Sequence, residues 1–150
     1  MAYEFLISDL KKFNSQKSIG TDKGLAKIGD GIVNLAYSVA KSIYLTKNNK
    51  SSKISRTGKK VSQKILSNAL KNADMKQFAR SRADAHDLAD TVEALIAYIW
   101  LNNNMTLKEI IDFLTSNLSG TLSSRTEEIV IATEAFKNLL KYIKIFLPKS

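Results

Sequence analysis

Three carboxylates are the residues of this chain best placed to do chemistry. Two lie in residues 86–102 (HDLADTVEALIAYIWLN). At about 100° per residue, Leu88, Val92, Leu95, Ile96 and Ile99 share one face. Asp90 and Glu93 fall on the other, among Ala83, Ala94 and Ala97. A surface helix would carry Lys, Glu or Gln there. Alanines instead let a second helix come close, which predicts that both acids sit in a crevice between packed elements. Burying carboxylates without a partner costs several kcal/mol, so a cation is the expected companion. The third acid, Asp30, belongs to another helix, running from about Asp22 to Leu45. Its predicted core face is Leu25, Ile28, Ile32, Leu35, Ala36, Val39 and Ile43. Asp30 points away from that face, yet Ala26, Val33 and Tyr37 frame it. Gly29 costs about 1 kcal/mol relative to Ala in a helix interior. Close approach of a second helix is the reason for its small size.

The elements that must hold these acids are helical throughout. Six Gly, one Pro and few alternating β-branched runs among 150 residues point to an all-α chain. Residues 1–150 read as a single domain of six to seven helices. Residues 3–13 predict a short amphipathic helix with Phe5, Leu6 and Leu10 inward, followed by a polar break at 14–20. A third long helix is expected near residues 58–73, with Val61, Ile65, Leu66, Ala69 and Leu70 inward. It starts either at Gly58, which would put Lys59 and Lys60 in a first turn that disfavours cations unless a phosphate binds there, or later, leaving the lysines in loop. Met75 to Arg82 reads as a short basic link. Thr106 with Glu109, and Ser124 with Glu127, are capping patterns for two further helices. The last of these carries Ile129, Thr133, Phe136, Leu139, Leu140, Ile143 and Leu147 inward. Extra apolar positions at Val130, Ile131 and Phe146 widen its stripe, which suits deep burial or a subunit interface.

The formal charge is +9. Residues 31–73 hold nine Lys or Arg and no acid, so this segment alone equals that total. Such asymmetry is the footprint expected of a polyanion-binding surface; a solvated loop, predicted at 46–58, is the plainer explanation. The chain has no cysteine, which excludes disulfide and thiolate chemistry and is compatible with a cytoplasmic protein. The longest purely apolar run, Ala94 to Leu101, is too short to span a bilayer, and Glu4 and Asp9 rule out a signal peptide. No serine or cysteine nucleophile arrangement, glycine-rich phosphate loop or zinc-ligand spacing occurs. Asp84 and Asp87 lie in or near the first turn of the central helix, where acids favour the dipole and read as structural; His86, one turn before Asp90, could assist a metal, but a surface or capping histidine is the plainer reading. Tyr37, Tyr98 and Trp100 read as core or interface side chains.

Three segments in order carry a family resemblance. Residues 25–35 (LAKIGDGIVNL) resemble the signature helix of the ribonuclease III family, Val61-Ser62-Gln63-Lys64 its V-S-N-K segment, and residues 90–101 (DTVEALIAYIWL) its D-x-x-E-A-L-I helix. The matches cover roughly residues 20–104. The resemblance implies an all-helical endonuclease domain, usually a homodimer, that cleaves double-stranded RNA with Mg²⁺ or Mn²⁺. Asp30, Asp90 and Glu93 would match the catalytic, metal-binding acids, and Lys53, Arg56, Lys59, Lys60 and Lys64 would bind RNA phosphates.

Two departures matter. Larger members carry E-x-x-E ahead of the signature, where Lys23 and Ala26 stand here. The second of those glutamates is a metal ligand, so its loss bears on activity. The alanine resembles the short members of the family, which lack a double-stranded-RNA-binding domain. Residues 105–150 would then complete the catalytic fold or form a dimer interface. The implied function is a metal-dependent endoribonuclease acting on structured RNA, and the alternative is an inactive, RNA-binding relative that keeps the fold.

Overall fold

The five longest helices each begin at a side chain that accepts a hydrogen bond from a backbone N–H three residues on, the geometry that satisfies a helix's free N-terminal donors. Asp22, Ser62, Asp84, Thr106 and Ser124 do this in turn. The computed structural model describes residues 3–12, 14–51 and 53–150. Among them are seven α-helices and no strand: α1 (Ser8–Lys12), α2 (Gln16–Gly20), α3 (Lys23–Lys47), α4 (Gln63–Asn72), α5 (Ala85–Leu101), α6 (Leu107–Ser116) and α7 (Arg125–Ile143). Short 3₁₀ turns occupy Glu4–Ile7, Lys76–Phe78 and Lys144–Phe146. The all-α expectation holds. Phe13 and Ser52, which fall in the predicted first helix and the predicted loop, lie outside the described residues.

Helix α5 is buried on nearly all sides, with α2, α3 and α4 packed around it. Both faces predicted for it are used: Leu88, Val92, Leu95, Ile96 and Ile99 are buried, and so are Ala94 and Ala97, with Ala83 half-buried. The contact with α3 is close, as the alanines and Gly29 imply. A Cβ added at Gly29 would collide with the carbonyl of Glu93.

Several positions differ from the sequence reading. Phe5 and Leu6 are exposed and Ile7 is buried. Residues 4–7 wind as a 3₁₀ helix, so the 100° spacing does not apply to them. The polar break contains α2, capped by Ser15. On α3, Ile28 and Leu35 face outward, and the buried stripe is Leu25, Ala26, Gly29, Ile32, Val33, Ala36, Tyr37 and Ala40. Close packing against α5 selects the small side chains for the inside, at the expense of two large ones. Helix α4 starts at Gln63, the later of the two starts that the sequence allows, so Lys59 and Lys60 lie in the loop before it. Val130 is exposed on α7.

The basic segment before α4 is fastened to α3 by a row of polar side chains four residues apart. Asn34 Oδ1 accepts from Val61 N (2.7 Å). Ser38 Oγ accepts from Lys59 N (2.8 Å) and donates to Lys59 O (3.2 Å). Ser42 Oγ does the same with Thr57 (2.9 and 3.2 Å), and Thr46 Oγ1 with Ser55 (2.8 and 3.3 Å). Four residues of helix rise about 6 Å, and two residues of extended chain span about 6.6 Å. The two repeats therefore stay in step, and the segment lies along the helix with alternate side chains outward.

Candidate active site

Asp30 from α3, and Asp90 and Glu93 from α5, line one cavity of about 690 Å³. Two distant stretches of the chain thus bring their acids to a shared space. Gly29 permits this, because it lets the α3 backbone reach the α5 backbone at Glu93. Ala26 and Ala89 form part of the wall, and Lys60 closes it from the segment before α4.

The electrostatics follow from this placement. Burial, a hydrogen bond with Asp30 and the charges of Asp30 and Asp90 push the Glu93 carboxyl up to about 8, against a weaker opposing pull from Lys60. Three acids in one low-dielectric space cannot all ionise without added positive charge. Asp90 Oδ2 meets Lys23 Nζ at 3.1 Å and His86 Nε2 at 3.5 Å. Asp30 Oδ1 accepts from Asn34 Nδ2 (3.1 Å) and lies 3.8 Å from Lys60 Nζ. Asn34 therefore ties the acid to the fastened segment, because its side-chain oxygen accepts from Val61 N while its amide nitrogen donates to Asp30. With the side chains so engaged, no group of three His, Asp or Glu among the described residues is arranged as a finished metal-ligand set. The three acids nevertheless offer hard carboxylate oxygens, the donor type that suits a divalent cation such as Mg²⁺ that keeps several waters, although Lys23, Lys27 and Lys60 line the same space.

Residues 23–147 match the family model described as Ribonuclease III. The chain belongs to the ribonuclease III family. No curated protein matches it. The match takes in α6 and α7, so the last two helices fall within the ribonuclease III region. No described helix is long and apolar enough to cross a membrane.

The five basic residues named from sequence are dispersed across the ribonuclease III domain. Lys60 lines the acidic cavity. Lys59 and Lys60 border an adjoining cavity of about 220 Å³ with Arg125, and Lys64 borders a groove between α4 and α7. Arg56 lies against α3 at Ser38 and Ser42, and Lys53 is exposed and lines none of these spaces.

Sequence reasoning missed several members of this neighbourhood. Lys23 was visible as a replacement for glutamate, yet its bond to Asp90 was not. His86, read mainly as a surface or capping histidine, reaches the cavity from one turn before Asp90. Asp84 and Asp87, expected as structural acids at the helix start, form a capping box there, and Arg80 holds Asp87 at about 2. Glu128 was also missed. It is buried on α7, takes hydrogen bonds from Tyr37 Oη (2.6 Å) and Lys41 Nζ (2.8 Å), and lies 3.8 Å from Lys59 Nζ.

Proposed function

We propose that this chain is a divalent-metal-dependent endoribonuclease that hydrolyses phosphodiester bonds in double-stranded or structured RNA. The observation that carries this reading is the convergence of Asp30, Asp90 and Glu93 on one cavity. Family membership supports it independently. Asp30, Asp90 and Glu93 would hold Mg²⁺ or Mn²⁺. When bound, such a cation supplies an activated water and positive charge for the phosphate oxygens. The chain's own residues do the remainder. Asn34 orients Asp30, Lys60 and Lys23 bring ammonium charge to the phosphate, and the tight contact at Gly29 fixes the separation of the two acidic helices.

Lys59, Lys60, Lys64 and Arg56 bind the RNA backbone, joined by Arg125 beside Lys59, with Lys53 at the outer end of the fastened segment. Duplex RNA is then recognised by shape and phosphate geometry more than by base sequence. A homodimer would cover the apolar side chains left outward on α3 (Ile28, Leu35) and α7 (Val130, Tyr142).

The test is incubation of the full chain with duplex RNA and Mg²⁺ or Mn²⁺. Cleavage that disappears in Asp30→Asn and Glu93→Gln supports the enzyme. Salt-sensitive RNA binding without cleavage under either metal would instead support the inactive relative, which Ala26 at the family's glutamate position favours.

A further inference from the structure

We infer that the acidic cavity takes one divalent cation per chain, and that the Lys23 ammonium supplies the second positive charge. The inference rests on the metal-dependent reading above. Lys23 Nζ stands 3.1 Å from Asp90 Oδ2 and 4.0 Å from Asp87 Oδ1. Asp87 is already bound by Arg80 at 2.6 and 2.9 Å, so the charge of Lys23 is directed mainly at Asp90. One turn on, Ala26 presents a methyl group to the cavity, where a further cation would need an oxygen ligand.

In-line displacement is helped by positive charge near both the attacking and the leaving oxygens. Lys23 is 66% exposed on a flexible four-carbon stem, so it can follow a phosphate while remaining beside Asp90. Its repulsion also weakens cation binding.

The experiment is a Mn²⁺ titration of the full chain without RNA, counting bound ions from the loss of the free-ion paramagnetic resonance signal. Wild type is expected to saturate at one Mn²⁺ per chain, lost in Asp30→Asn. Lys23→Gln and Lys23→Met are expected to tighten binding about tenfold at unchanged stoichiometry. Two ions per wild-type chain, both dependent on Asp30, would overturn the inference while leaving the metal-dependent reading intact. Unchanged affinity in both Lys23 variants, with helical content preserved, would do the same. Absence of any Mn²⁺ that depends on Asp30 and Glu93 would remove the metal-dependent reading and this inference together.

Discussion

Glu93 and Glu128 are both withdrawn from water against α3, and their surroundings act in opposite directions. Glu93 shares its space with two more acids, and burial with like charge pushes it up to about 8. Glu128 is more deeply enclosed, at 7% side-chain exposure. Burial pushes it up too, but the hydrogen bonds from Lys41 and Tyr37 and the charges of Lys41 and Lys59 hold it below the usual carboxylate range. Tyr37 is pushed up in turn by burial and its bond to this carboxylate. A complete set of partners makes Glu128 a structural anion, locking α7 to α3 and to Lys59. An incomplete set leaves Glu93 holding its proton well above the usual carboxylate range, and the proposed cation would take that proton's place. Burial alone does not distinguish a site from a strut; the sign of the neighbouring charge does.

The comparison is broken most severely at Gly29. Gly29→Ala sets a methyl against the Glu93 carbonyl, and a backbone atom cannot rotate aside. Destabilisation by about 3 kcal/mol or more in urea unfolding is expected, with the acidic side opened and the Glu128 side intact. Glu128→Gln comes next. It leaves Lys41, itself only 12% exposed, without its anion. The expected loss is roughly 3 kcal/mol, with unfolding midpoints as the readout.

The same substitution at the other glutamate should have the opposite sign. The folded-state value of Glu93 lies above the ordinary 4.5. Between these values the folded chain keeps a proton that the unfolded chain has lost, so stability falls as pH rises from about 4.5 to 8. Glu93→Gln should therefore stabilise the metal-free protein at pH 8 by about 2 kcal/mol, a figure reduced for partial solvent access, and change little at pH 5. Glu128 contributes the reverse dependence: its stabilisation is present above the ordinary carboxylate range and is lost as pH falls through its lowered value. A smaller effect is expected from the polar row that brings Lys59 to Glu128 and Lys60 to Asp30. Ser42→Ala should cost about 1 kcal/mol and speed amide exchange at Thr57, with Ser42→Thr restoring both.

Much of the acidic side was legible in the sequence because it is written in side-chain size. Alanines beside Asp90 and Glu93, and a glycine before Asp30, signal close packing whatever the fold, and the order of the three family-like segments joined them. The side of Glu128 was not legible. Its partners lie on α3, 91 positions away in the case of Tyr37, and a glutamate near a helix start ordinarily reads as a dipole complement. The fastened segment did leave a signal, Asn34, Ser38, Ser42 and Thr46 at a spacing of four. It was masked because the residues that it binds have no periodicity of their own. Ile28 and Leu35 were misplaced because periodicity counts large apolar residues, and this helix buries its small ones.

The exchange of the Glu93 proton for a cation is tested most directly by following its side-chain carboxyl carbon by nuclear magnetic resonance through a pH titration, with and without Mg²⁺. The account predicts a midpoint near 8 in the metal-free protein that moves down towards the ordinary carboxylate range when Mg²⁺ is added. A midpoint close to 4.5 without metal, or one that Mg²⁺ leaves in place, would contradict it.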